Sequence, residues 1–299
     1  MTKYHNPVLL NECIEGLNID SSGVYVDVTF GGGGHSRAIL SKLKGGHLYA
    51  LDQDEDSFMN DIDHDGFTLI NANFRYLKNS LRMNGVKEVD GLLADLGVSS
   101  HQFDVADRGF SIRFEADLDM RMNQNSELTA YKVLNSYEQE DLRKILKFYG
   151  ELKRPGTIAR VIYEAKQNKP IKTVNELKDL LRSFAPKKQE NKFFAQVFQA
   201  IRIEVNDELN ALRKMLIQAQ DIIRPGGRLV VISYHSLEDR LVKNLIQKGS
   251  FDEELKQDFY GNKLLSFKKI SRKPILPSAD EIKLNSRARS AKLRVAEKI

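Results

Sequence analysis

The chain reads as an α/β protein: a doubly wound, mainly parallel sheet interrupted by a helical insertion. Three observations predict this. Short apolar runs alternate with helix-patterned segments through the first third of the chain. A glycine cluster joins the first of those runs to its helix. An apolar strand run then returns at residues 228–233, after a long stretch of purely helical patterning.

Taken in order, residues 24–28 are a β-rich run that leads into Gly31, Gly32, Gly33 and Gly34, and residues 36–43 then carry helical spacing. Residues 47–51 form a second apolar run ending at Asp52, and 69–72 and 89–94 read as third and fourth strands. Strands separated by helices argue for a parallel sheet covered on both faces. After about Gln102 the rhythm stops. Residues 104–125 are polar and irregular, and 129–148, 157–167 and 174–184 read as helices. One long helical pattern spans 193–223, through Val197, Ile201, Val205, Leu209, Leu212, Leu216 and Ala219, and stops at Pro225, Gly226 and Gly227. The expected organisation is a first sheet part at 1–103, a mainly helical insertion at 104–202 and a second sheet part at 203–299.

With 299 residues the chain can bury a sizeable core. No apolar run is long enough for a membrane helix, and residues 1–11 lack a signal-peptide layout. A single cysteine, Cys13, excludes an internal disulfide and fits a reducing compartment, so a cytoplasmic protein without membrane contact is expected. Net charge is +5, yet residues 263–298 alone carry +8 and the remainder −3. A basic tail on a nearly neutral body points to a polyanion contact confined to one region; a solvated terminal segment is the other reading.

The strand–glycine–helix join at 27–36 is the first chemical signal. Glycines let the backbone turn sharply and approach a ligand closely. In doubly wound sheets ligands lie outside the carboxyl ends of the strands, where this loop falls. Asp52 follows the second strand about twenty residues on, where an acid bonds ribose hydroxyls. That spacing suits any adenosine-containing cofactor. Two details lean away from NAD: the third glycine of G-x-G-x-x-G falls on Ser36 or Arg37, and Asp27 precedes the loop, where it can engage the amino group of a methionine moiety. Asp95 ends the fourth strand, so its carboxylate would face the crevice; a turn cap is the alternative.

Ordered motifs then run nearly end to end. They are 5–12 (HNPVLLNE), 27–36 (DVTFGGGGHS), 52–54 (DQD), 95–102 (DLGVSSHQ), 108–111 (RGFS) and 118–122 (LDMRM). The second half adds 198–203 (FQAIRI), 205–209 (VNDEL), 231–240 (VISYHSLEDR) and 287–294 (RARSAKLR). With these the chain resembles the MraW/RsmH-type ribosomal small-subunit RNA (cytosine-N4)-methyltransferases. The resemblance implies a Rossmann-like class I methyltransferase sheet with an inserted helical, substrate-recognising domain. It implies S-adenosyl-L-methionine as cofactor, held by Gly33, Gly34, His35, Asp52, Phe74, Asp95 and Gln102. It also implies methylation of the exocyclic N4 of a cytidine in the decoding region of 16S rRNA, within the small ribosomal subunit. Asp95 and His235, with the rest of 233–236, are candidates for lining the base pocket, and no catalytic base is assigned. Arg287, Arg289, Lys292 and Arg294 are better suited to phosphate contacts than to base reading. No metal site is expected, since the histidines are scattered and one cysteine makes no thiolate cluster. Oligomeric state is left open, a homodimer included.

Some positions depart from the family pattern. Lys192, Phe193, Phe194, Ala195 and Gln196 replace a His-Pro-Ala-Thr-Arg stretch, which puts a basic contact from the insertion in doubt. Leu152 replaces a glutamate, Tyr234 a phenylalanine and Ser286 a proline. None of these departures is expected to touch the cofactor motifs. Three competing readings remain: a nicotinamide oxidoreductase, which lacks the third glycine; a hydrolase through Ser236 and His235, which lacks a G-x-S-x-G elbow; and a ribosome assembly factor without turnover.

Overall fold

The computed structural model describes residues 7–251, 257, 260–261 and 264–299. His5 and Asn6 of the first motif, and Lys263 of the basic tail, lie outside them. The chain divides into two compact units, one of Met1–Gly97 with Leu209–Ile299 and one of Val98–Glu208. The sequence pattern puts the cuts near 104 and 203 instead.

The first unit starts with helix α1 (Leu10–Leu17), followed by β1 (Val24–Asp27), α2 (Gly34–Leu40), β2 (His47–Asp52), β3 (Phe67–Asn71), α3 (Leu77–Met83) and β4 (Val89–Asp95). The second unit holds α4 (Ser100–Asp104), α5 (Ala130–Ser136), α6 (Gln139–Phe148), α7 (Pro155–Asn168), α8 (Val174–Leu181) and α9 (Glu190–Asn206). The chain re-enters the first unit through α10 (Glu208–Ile222), β5 (Ile223–Ser233), α11 (Ser236–Lys248), β6 (Phe267–Lys269), α12 (Ala279–Leu284) and β7 (Lys292–Lys298).

The sheet has seven strands in the order β3-β2-β1-β4-β5-β7-β6. The first five run parallel, while β7 pairs antiparallel with β5 and with β6. This is the class I methyltransferase sheet that the resemblance implies. Period-two alternation sends Val26, Leu92, Ala94, Leu229 and Val231 to one face, against Leu212, Met215 and Leu216 of α10 and Leu241, Val242 and Leu245 of α11. Tyr25, Leu93, Val230, Ile232 and Leu293 go to the other face, against Cys13 and Leu17 of α1 and Ile39 of α2. Each fully buried leucine or isoleucine is worth about 1.5–3 kcal/mol, so both faces are firmly held. Strand order reverses between β1 and β4, and the carboxyl ends of the strands there form the crevice in which such sheets take ligands.

The second unit has its own core. Phe193, Phe194, Val197 and Ile201 of α9 pack with Val133, Leu142, Leu146, Ile158, Ile162 and Leu177.

Several elements differ from the sequence expectation. The pattern over 193–223 is two helices. Asp207 takes a left-handed conformation (φ 50°) between α9 and α10, which aspartate tolerates better than most residues. The break costs one residue and leaves the periodicity intact, so patterning cannot see it. The helix expected at 129–148 is likewise split at Tyr137–Glu138. The Pro225-Gly226-Gly227 stop lies inside β5, at a register shift opposite Val89 and Gly91. The end of the chain is β7, a strand inside the sheet, where a solvated terminal segment was the alternative. No helix among the described residues is long and apolar enough to cross a membrane.

Candidate functional site

Gly31 and Gly33 both adopt positive φ (51° and 72°) in the turn between β1 and α2, a conformation that costs side chains other than glycine. A Cβ on Gly33 would lie 2.9 Å from the Phe30 ring, and one on Gly34 would collide with the Pro7 ring. At Gly33 and Gly34 the loop therefore has no room for a side chain. It is tied down at its base: the Gly31 amide donates to Asp52 Oδ2 at 2.8 Å, and Arg37 Nη1 donates to the Gly32 carbonyl at 2.7 Å.

Carboxylates end the strands on either side of this loop. Asp27 ends β1, is 1% exposed, and accepts hydrogen bonds from Ser36 Oγ at 2.7 Å and the Thr29 amide at 3.1 Å. Asp52 ends β2, and its second oxygen accepts from the Asp54 amide at 2.9 Å. Asp95 ends β4; its amide donates to Thr29 Oγ1 at 2.7 Å and its Oδ1 accepts from the Tyr234 hydroxyl at 2.8 Å. Thr29 thus links Asp27 to Asp95. His35 is buried, with Nε2 3.1 Å from the Val8 carbonyl and Nδ1 3.8 Å from Asp95 Oδ2.

Burial dominates the electrostatics. It pushes Asp95 up to about 6, opposed by His35 and by the Tyr234 hydrogen bond and reinforced by Asp27 and Glu238. It likewise pushes Asp52 up to about 6, against the stabilising amides of Asp54 and Gly31, with Asp54 and Asp27 adding to the rise. Asp27 is raised by burial despite help from His35, Ser36 and Thr29. Three acids held above their ordinary range by burial at adjacent strand ends are an arrangement that functional sites use.

Phe74 opens a 3-10 turn just after β3, and half-buried it packs on the apolar cluster under the sheet. Asn73 caps that turn and donates through Nδ2 to Gln53 Oε1 at 2.6 Å, joining the ends of β2 and β3. Among the sequence-picked residues, then, Gly33, Gly34, His35, Asp52, Phe74 and Asp95 all follow strand ends of one unit. Gln102 belongs to the second unit. It is buried there and closes a capping box with Ser99 at the start of α4: its amide donates to Ser99 Oγ at 3.2 Å, and its Oε1 accepts from the Ser99 amide at 3.0 Å.

His235 is the N-cap of α11; its Nδ1 accepts from the Glu238 amide at 3.4 Å and its Nε2 lies 3.2 Å from Glu238 Oε1. The neighbouring Ser233 hydroxyl is buried and has no hydrogen-bond partner among the described residues. The basic tail residues are not equivalent. Arg294 makes a paired contact with Asp239, Nε to Oδ1 at 2.6 Å and Nη2 to Oδ2 at 3.1 Å, and Lys292 Nζ lies 3.8 Å from the same carboxylate. Arg289 is exposed and Arg287 half-buried.

Sequence reasoning missed Thr29 and Ser36, and it named Tyr234 only within the 233–236 pocket stretch, without its contact to Asp95. The first two stand inside the loop motif, where their hydroxyls could have been matched to Asp27. The Tyr234 departure, expected to leave the cofactor motifs untouched, bonds Asp95 directly. That contact joins residues 139 apart and no spacing rule reaches it.

A family model described as the MraW methylase family matches residues 2–299. A ribosomal RNA small subunit methyltransferase H of Flavobacterium johnsoniae is 57% identical over 298 residues, covering 99% of this chain and 98% of that protein. The proteins of the same name from Christiangramia forsetii and Cytophaga hutchinsonii are 55% and 54% identical, each alignment covering at least 99% of both chains.

Proposed function

The chain belongs to the MraW methylase family, a family of S-adenosylmethionine-dependent methyltransferases, and from that premise we propose that it methylates the exocyclic N4 of a cytidine in the decoding region of 16S rRNA. The observation that carries the reading is the cradle of Gly31–Gly34 backbone flanked by the strand-end acids Asp27, Asp52 and Asp95. The donor set fits the cofactor. A side-chain-free loop suits close approach of a ligand, acids suit ribose hydroxyls and an ammonium group, and Phe74 suits an adenine face. Gly33, Gly34, His35, Asp52, Phe74 and Asp95 would hold it. S-adenosylmethionine supplies an electrophilic methyl group.

The acceptor sets the remaining task. The cytosine amine is a poor nucleophile because its lone pair is delocalised into the ring, so the site must polarise it by accepting an N–H bond. Asp95 does this through Oδ2, the oxygen that Tyr234 leaves available, with the carboxylate ionised above about pH 6. Most of the rate then comes from holding the two reactants in line. The base must be unstacked to enter. The exposed cations of the tail, Arg289 foremost, serve the phosphates.

The test incubates the purified protein with labelled S-adenosylmethionine and small subunits that lack the modification, alongside naked 16S rRNA. The RNA is then digested and the nucleosides are weighed. Label in N4-methylcytidine supports the reading. Label in another nucleoside refutes the acceptor, and no label, with cofactor binding intact, favours a non-catalytic assembly factor.

A further inference from the structure

Tyr234 lies between β5 and α11 and is anchored at both ends. Its amide donates to Glu238 Oε2 at 2.8 Å, and Glu238 is itself 2% exposed. Its hydroxyl donates to Asp95 Oδ1 at 2.8 Å. The turn after Asp95 packs against its ring: Gly97 has φ 97°, and a Cβ there would sit 3.5 Å from Tyr234 Cδ2. A side chain held at backbone, ring and hydroxyl has little freedom. The carboxylate it grips inherits that rigidity.

We propose that Tyr234 is a positioning residue: it engages Oδ1 of Asp95 and so presents Oδ2 to the incoming amine, while keeping the carboxylate ionised at neutral pH. The proposal rests on the reading of Asp95 as the group that meets that amine. Among the described residues the group facing Oδ2 is His35 Nδ1, at 3.8 Å and so beyond a hydrogen bond. Burial, together with the Asp95 charge beside it, drives the Tyr234 phenol well above its ordinary value, so it is a permanent donor at any working pH. A permanent donor to a carboxylate favours its charged form. The other ionisable groups bearing on Asp95 are His35 from α2, Asp27 from β1 and Glu238 from α11, and the buried Cys13 thiol of α1 is itself raised by burial and by Asp95. Of these, Asp27 and Glu238 push its proton affinity up. Tyr234 offsets them and also fixes the carboxylate's orientation.

The experiment compares the wild-type protein with Tyr234→Phe, which keeps the ring and deletes the hydroxyl. Asp95 is titrated in the ligand-free protein by carboxyl 13C NMR, its signal assigned by its loss in Asp95→Asn. The expected result is a midpoint near 6 in the wild type and a rise of about one unit in the variant. The acid limb of single-turnover methyl transfer should move up with it. An unchanged Asp95 midpoint overturns the proposal. So does a shifted midpoint with an unmoved acid limb, which leaves the Tyr234 contact without a part in methyl transfer. If the wild type transfers no methyl group to RNA, the proposed function falls, and the NMR titration still decides whether Tyr234 clamps Asp95.

Discussion

Replacing Asp95 by asparagine isolates the cost of keeping a carboxylate at the end of β4. Burial moves that group from the ordinary 3.8 to about 6, and such a displacement corresponds to about 3 kcal/mol at the limit. The folded state binds this proton more tightly than the unfolded chain. Its contribution to stability is therefore full below about pH 4, declines as pH rises, and is lost once pH exceeds about 6. An amide carries no charge at any pH, and its oxygen still accepts the Tyr234 hydroxyl. Asparagine should therefore stabilise the first unit at high pH. The Asp95 side chain is 23% exposed, so solvent screening reduces the gain to about 1–2 kcal/mol.

The assay is hydrogen exchange on peptides covering β4 and β5, because those amides report opening of their own unit and not of the helical one. At pH 8 the variant should exchange about 5- to 30-fold more slowly than the wild type. At pH 5 roughly half of the cost has already disappeared, and the ratio should fall to about 2- to 5-fold. Methyl transfer should drop at least about a hundredfold at pH 8 if Asp95 meets the amine, and by less at pH 5, where the wild-type carboxylate is itself mostly protonated. Faster exchange at pH 8, or one ratio at both pH values, would refute the reasoning that burial of charge is what destabilises this site.

Three further perturbations separate loop, strand and tail. Gly34→Ala drives a methyl group into the Pro7 ring; we expect a loss of about 1–3 kcal/mol in stability and at least tenfold weaker adenosylhomocysteine binding by calorimetry. Unchanged affinity would mean that the loop can shift without consequence for the ligand. Arg294→Gln breaks the paired contact with Asp239 and should cost about 2 kcal/mol of folding stability. Arg289→Gln should instead leave folding within about 0.5 kcal/mol and lower the salt slope of RNA binding by about one. An unmoved slope removes Arg289 from the RNA interface.

The parts of the fold legible in the sequence are those whose burial writes a pattern. The runs that became β1, β2, β4 and β5 are buried on both faces, so their apolar residues are consecutive and need no context. The elements that escaped notice lack such a mark. Helix α1 begins after Leu9 in a left-handed conformation with no capping side chain. In β7, Leu293 and Val295 face the core on either side of Arg294, so the strand reads as part of a basic tail. Helix α11 did leave a signal, with Glu238 and Asp239 in its first turn and Gly249 after its last. A histidine N-cap disguised it. The site divides in the same way. The glycine loop and Asp52 stand at a spacing that chemistry imposes along the chain, whereas the Tyr234 contact with Asp95 and the Thr29 bridge between two strands exist only once the sheet has formed.

What unites these observations is a shortage of positive charge at the crevice. Asp27 raises both Asp52 and Asp95, so its charge makes each of them harder to ionise. Ser36, Thr29, Tyr234 and the loop amides of Gly31 and Asp54 supply hydrogen bonds, yet burial still outweighs them at all three carboxylates. A fold selected for stability alone would replace these acids with neutral groups, as the Asp95 argument shows. A fold that must draw in a cationic ligand gains from keeping them, because a positive charge placed among them lowers every one of their proton affinities together. If the site is occupied as proposed, the methyl donor brings both an ammonium and a sulfonium charge, and the demethylated product has lost the second. The same three carboxylates that weaken the sheet then favour the donor over the product, and so bias the site toward exchange after each transfer.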